Sequence, residues 1–166
     1  MARFVVGVMG GGEGTSRETC RQAYSLGSMV AGEGWILLNG GRSAGVMEAS
    51  ARGAREAGGL TVGILPGTSA AGASPYVDIA IPTGMGDARN YINVLSSSAV
   101  VVLPGGAGTL SEAALALKNG KTVITLGFTL PEVLEKYREQ GFVVHASSPE
   151  EALQALKGLA RKLSQE

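Results

Sequence analysis

Seven short apolar runs punctuate the chain, and between them lie longer stretches in which apolar side chains recur every three or four positions. The runs are Phe4–Met9, Trp35–Leu38, Leu60–Leu65, Val77–Ile81, Val100–Leu103, Thr122–Leu126 and Phe142–Val144. Most are almost continuously apolar rather than alternating, as strands covered on both faces are. The intervening stretches predict helices near 16–33, 46–57, 87–98, 109–119, 131–140 and 149–164. Strand–helix alternation of this kind predicts an α/β fold, a single three-layer Rossmann-like domain over 1–166. Its sheet is expected to be mostly parallel, with helices on both faces and right-handed crossovers. Val77–Ile81, short and set between Pro75 and Pro82, reads either as an edge strand or as an extended loop.

Several helix starts carry capping signals. Ser148-Pro149-Glu150-Glu151 combines a capping serine, proline at the first helical position and glutamate at the third. Thr15/Glu18, Thr109/Glu112 and Thr129/Glu132 repeat the Thr-x-x-Glu spacing of a capping box. The segment Leu65–Pro75, rich in Pro, Gly, Ser and Ala, is the long irregular one.

Composition narrows the function. A length of 166 residues suits one domain and leaves no room for a second of ordinary size. The 14 basic and 14 acidic side chains balance, which argues against a nucleic-acid partner. One cysteine, Cys20, and one histidine, His145, supply neither a disulfide framework nor a His/Cys metal cluster, so no metal site is expected. Cys20 reads as packing within a helix and His145 as a strand-end residue. No leader segment and no membrane span is recognisable, so a cytoplasmic location without membrane attachment is expected. The 26 glycines are about twice the average share and follow no repeat, so they serve turns and close approaches.

Those glycines cluster after strands. Gly10, Gly11 and Gly12 follow the first, Gly40, Gly41 and Gly45 the second, and Gly105, Gly106 and Gly108 the strand ending at Leu103. In a parallel sheet all three loops lie at the carboxyl edge, each leading into a helix, where α/β folds bind ligands. Helix N-termini there offer free N–H groups and partial positive charge to an anion. Glycine turns also serve purely structural ends, and none of the three reads Gly-x-Gly-x-x-Gly. Their coincidence points to a phosphate-bearing small molecule, most simply a nucleotide. Arg42 and Arg89 can each pair with phosphate, and Thr109 opens the helix behind the third loop. Glu48 and Glu112 each lie about one turn into a helix behind a glycine loop. A carboxylate at either place can hold ribose hydroxyls or stabilise a cationic transition state; Glu112 can equally close a capping box with Thr109, and Glu48 fits a solvated or helix-dipole role at least as well.

Leu103-Pro-Gly-Gly-Ala-Gly-Thr-Leu-Ser-Glu112 resembles the PGGxGTxxE motif of the LOG (lonely guy) family, often labelled "possible lysine decarboxylase". Gly40-Gly41 with Gly45-Val-Met47 resembles the companion GGxxGxM motif, and the likeness runs from Phe4 to about Phe128. Within the superfamily, Gly45–Ala49, Gly58–Pro66 and Asp87-Ala-Arg-Asn90 look most like the molybdenum-cofactor carrier branch. That resemblance implies a crevice that holds molybdenum cofactor, a pterin phosphate, or a nucleotide without turning it over, with no cofactor required for chemistry. The alternative it implies is a nucleoside 5′-monophosphate phosphoribohydrolase, with the essential arginine at Arg89 and the essential glutamate at Glu112. Asn90 stands where LOG proteins carry lysine, and Glu48 where they carry the last glycine of GLMG; both departures favour binding. The resemblance also implies a homodimer or larger assembly, for which the apolar stretch 92–101 is an interface candidate or ordinary core. Lysine decarboxylation by pyridoxal phosphate is excluded, because it needs a Schiff-base lysine in the pocket. All five lysines fall at 118 or beyond, and Lys118 is more than two turns into its helix.

Overall fold

The computed structural model describes residues 3–165. In chain order the elements are β1 (Val5–Met9), α1 (Arg17–Gly32), β2 (Ile36–Asn39), α2 (Gly45–Glu56), β3 (Thr61–Leu65) and β4 (Ile79–Pro82). A 3-10 turn (Gly86–Ala88) then leads into α3 (Arg89–Leu95), β5 (Ala99–Val102), α4 (Ala107–Lys118), β6 (Val123–Leu126), α5 (Glu132–Glu139), β7 (Val143–Ala146) and α6 (Pro149–Leu163). The strands form one sheet in the order β4-β3-β2-β1-β5-β6-β7, and every pairing is parallel. The chain therefore starts at the centre, winds outward to β4, returns beside β1 as β5 and winds out the other way. The switch point of the sheet lies between β1 and β5.

Side-chain alternation along the strands divides the core in two. Val6 and Val8 of β1 and Val101 of β5 pack with Leu26 of α1, Val46 of α2 and Leu156 of α6. Met9, Val100 and Val102 point the other way, against Val94 of α3 and Ala113, Ala116 and Leu117 of α4. This is the expected α/β architecture with helices on both faces. Among the described residues, no helix is long and apolar enough to cross a membrane.

The ambiguous run at 77–81 forms a strand at the sheet edge, shifted to Ile79–Pro82 and paired only with β3. Asp78 stays outside it, because its carboxylate accepts from the Thr61 N–H and hydroxyl and meets Arg55. Helix 87–98 is shorter than expected, running from Arg89 to Leu95 behind the 3-10 turn. Lys121 closes its end by donating to the Ser97 carbonyl at 2.6 Å.

Of the capping signals, Ser148 stands as read: its hydroxyl accepts from the Glu151 N–H and Pro149 is the first helical residue. The three Thr-x-x-Glu boxes do not form. Ser16 caps α1 while Thr15 donates to the Gly12 carbonyl at 2.7 Å, Pro131 precedes α5, and Gly106 precedes α4. Thr109 and Glu112 thus lie inside α4, the latter in its second turn.

Helices α1 and α2 cross at glycines. A Cβ on Gly27 would lie 2.1 Å from the Ser50 carbonyl oxygen, and one on Gly53 2.0 Å from that of Tyr24. Both obstacles are backbone, so no side-chain rotation relieves them. Gly53→Ala is expected to lower unfolding stability by about 1–3 kcal/mol, read as an earlier midpoint in urea.

Candidate functional site

The carboxyl ends of β1, β2 and β5 surround a cavity of about 200 Å³. Of the residues singled out above, Gly10, Gly11, Gly12, Gly40, Arg89, Gly106, Gly108, Thr109 and Glu112 line it, joined by Asp87, Asn90, Met47 and Met9. A second cavity of about 360 Å³ lies across the ridge of Gly11, Gly12 and Gly106 and is also lined by Gly105. Arg42, Gly41 and Gly45 line neither. Arg42 is exposed and bridges to Ala73 of the 66–78 connection. That connection is tied to the second glycine loop where Ser74 N–H donates to the Gly41 carbonyl at 2.8 Å. Glu48 is half-buried and accepts from the Ser43 hydroxyl.

The glycines divide by what a side chain would meet. A Cβ on Gly45 would strike the carbonyls of Gly11 and Gly12, one on Gly105 the Thr109 hydroxyl, and one on Gly10 the Val46 side chain. These positions let loops touch each other. A Cβ on Gly12 would meet nothing nearer than 3.7 Å, one on Gly108 nothing nearer than 3.8 Å, and one on Gly106 nothing within 4 Å. The fold leaves that space open, on the side of the loops that faces the cavity.

Gly11 joins the three loops. Its N–H donates to the Pro104 carbonyl, and its own carbonyl accepts from Val46 N–H, each at 2.9 Å. Asn39, wholly buried at the end of β2, braces the second loop by donating to the Met47 carbonyl at 2.8 Å and accepting from Gly41 N–H at 2.8 Å. The N-terminus of α4 differs from that of α1: Gly106 brings no side chain to cap it, so its first N–H groups face the cavity edge unpaired by a cap.

Two charged side chains converge here. Arg89, at the start of α3, donates through Nη1 to the main-chain carbonyls of Gly40 and Ile64, while its Nε is buried without a partner. Burial holds this guanidinium below the usual arginine range; Glu112 opposes the shift and Arg42 adds to it. Arg89 thus clamps the carboxyl ends of β2 and β3 in addition to lining the cavity.

Glu112 is only 7% exposed. Burial pushes its carboxyl up to about 7, against the lowering effects of the Asn93 hydrogen bond and of Arg89. Asn93 Nδ2 donates to Glu112 Oε1 at 2.8 Å. Asn93 and Asn39 belong to no motif in the sequence, though Asn93 is four residues beyond Arg89 and therefore on its helical face. His145 lies apart, with Nδ1 2.7 Å from the Thr125 hydroxyl, and Cys20 is half-buried in α1.

The folded protein keeps the Glu112 proton to about pH 7, whereas an unfolded chain releases it near 4.5. The associated stability is full below pH 4.5 and is lost as pH rises to 7. Glu112→Gln retains the Asn93 hydrogen bond and removes the ionisation. Denaturant titrations should find this variant more stable than wild type at pH 8, by up to about 3 kcal/mol, with the gap closing towards pH 4.5.

The chain aligns with two solved structures over 96% of its length and 99% of theirs. One is the molybdenum cofactor binding protein of Rippkaea orientalis, at 47% identity and a TM-score of 0.88. The other is the molybdenum cofactor carrier protein of Chlamydomonas reinhardtii, at 43% identity and a TM-score of 0.86. A cytokinin riboside 5′-monophosphate phosphoribohydrolase of Mycobacterium tuberculosis is 39% identical over 100 residues, 59% of this chain and 54% of that protein. The model of the SLOG cluster4 family matches residues 3–153, and with nearly the whole described chain inside that match, the protein belongs to the SLOG cluster4 family.

Proposed function

We propose that the cavity at the β1–β5 switch point binds a phosphate-bearing, nucleotide-like cofactor and holds it without turnover, molybdenum cofactor being the leading ligand. The observation that carries this reading is the uncapped N-terminus of α4, where Gly106 and Gly108, together with Gly12 of the first loop, leave side-chain space that the fold does not fill. Free N–H groups, a helix dipole and open space are what a phosphate needs. The similarity to a molybdenum cofactor binding protein and a carrier protein spans both chains almost entirely, whereas that to the phosphoribohydrolase spans about half.

The donor set fits a pterin phosphate carried as cargo. Phosphate would sit at the N–H groups of Gly106, Ala107 and Gly108, and the heterocycle edge would meet Glu112. A carboxyl that titrates near 7 both donates and accepts hydrogen bonds at neutral pH, which suits a ring edge bearing N–H and carbonyl groups. The cavity is lined by no cysteine or histidine, so these residues grip the organic part rather than the molybdenum. The adjoining cavity extends the space into the range of about 300–1,000 Å³ usual for small-molecule sites.

Gly106→Val should weaken molybdopterin binding by about 10- to 100-fold, the loss of one charge-assisted hydrogen bond or more, with an unchanged far-UV CD spectrum. Unchanged affinity, measured by fluorescence or calorimetry, would remove phosphate from that position. The second reading, hydrolysis of a nucleoside monophosphate, is favoured by Arg89 and Glu112 lining one cavity. It requires chromatographic release of free base from a monophosphate panel that includes an N6-modified AMP. Since an ionised Glu112 would stabilise the cationic ribose, release should increase as pH passes 7 and vanish in Glu112→Gln. A folded protein that retains ligand and releases no base is a carrier.

A further inference from the structure

We propose that Asn93 is the positioning residue of this site: it fixes one oxygen of Glu112 from behind and leaves the other as the single carboxyl oxygen that addresses the ligand. This deepens the binding reading and rests on it for the word ligand, though the effect on Glu112 stands independently. Asn93 is wholly buried, lies outside the cavity lining, and donates to Oε1 at 2.8 Å. Oε2 has no protein partner among the described residues, and it is not among the buried side-chain atoms left without one. It therefore retains access to the cavity that Glu112 lines.

Asn93 itself is held firmly. Ser97 donates to its main-chain carbonyl at 2.7 Å, and Lys121 ties down the end of the same helix. Its Oδ1 is buried without a hydrogen-bond partner. A residue kept for packing alone would not leave an amide oxygen unpaired in the core, since an apolar side chain of the same size avoids that penalty. What the amide contributes, and an apolar group does not, is the N–H aimed at Glu112.

The hydrogen bond stabilises the charged carboxylate, opposing the burial that favours the neutral acid. The other charged groups nearby are Arg89 on α3 and Asp87 in the 3-10 turn, both lining the cavity, and Arg42, which acts on Arg89 from the second loop. The strands beside α4, β5 and β6, bring no titratable side chain. Removing the Asn93 amide therefore leaves Arg89 as the remaining stabiliser of the ionised form, and the carboxyl rotates free.

The test is the titration of the Glu112 side-chain carboxyl by ¹³C NMR in the ligand-free protein, assigned by its disappearance in Glu112→Gln. In Asn93→Ala the midpoint should move upward by about one pH unit or more, the equivalent of one hydrogen bond to a charged group. Asn93→Asp, nearly identical in shape, should move it further, because two carboxyls then compete for one proton. An unchanged midpoint in the folded variants overturns the proposal and leaves Asn93 a packing residue. If Asn93→Ala does not fold, Asn93→Leu, which fills the same space and lacks the N–H, decides by the same upward shift. Titration of molybdopterin into wild type and Asn93→Ala gives the separate arm. Tight binding to wild type that weakens at least tenfold in the variant supports the role towards ligand. Equal affinity with a moved midpoint overturns that role while keeping the effect on Glu112. No binding to wild type refutes the functional reading itself.

Discussion

Two hydrogen bonds at Gly11 hold the site together. Its N–H reaches the loop after β5 and its carbonyl receives the first turn of α2, so the three glycine loops are joined at the one residue that sits over the switch point. The bonds are possible because Gly45 and Gly105 lack side chains where the loops touch. Around that junction the remaining parts take fixed places: Asn39 sets the second loop, Arg89 clamps two strand ends, and α4 presents its uncapped N-terminus. The cavity walls thus come from three separate crossovers tied to one another by main-chain hydrogen bonds.

The electrostatics inside are governed by burial. Arg89 and Glu112 are opposite charges in one cavity, yet each is driven towards neutrality by loss of water, and their mutual attraction only partly offsets this. Arg89 spends Nη1 on main-chain carbonyls, which replace some of the water it has given up. Glu112 has Asn93. The pair is thus poised rather than locked, with Arg89 Nε left without a partner in the protein.

Much of this was legible in the sequence because it is local or periodic. Unbroken apolar runs identified buried parallel strands, and glycines that directly follow three of them line the cavity at the carboxyl edge of the sheet. Motif spacing brought Arg89 and Glu112 into view, and both line the cavity. What was not legible depends on neighbours distant in the chain. Thr109-x-x-Glu112 has the spacing of a capping box, and only the start of α4 at Ala107, with Glu112 facing Asn93, separates a buried cavity residue from a cap. The glycines look alike in the sequence, but Gly45 is filled by the first loop and Gly106 by nothing. Asn93 was hidden in the apolar stretch 92–101, which reads as an interface candidate or as ordinary core. Arg42, conspicuous within its loop, is exposed, lines neither cavity, and pairs through its backbone with Ala73 of the 66–78 connection.

The pairing of β1 with β5 also has a temporal side. Val5 meets Ser98 across a sequence separation of 93 residues, and the pairings Val6 with Ala99 to Met9 with Val102 follow from it. Closing so long a loop is slow compared with winding a helix or docking β1 on β2. A ribosome that has released only the first four strands has released a half-sheet whose central edge is bare, with Gly11 still lacking Pro104. The cavity comes into being with the last central pairing. The cavity is therefore a late product of folding: none of it exists before the centre of the sheet has closed, and its walls are completed together rather than one at a time.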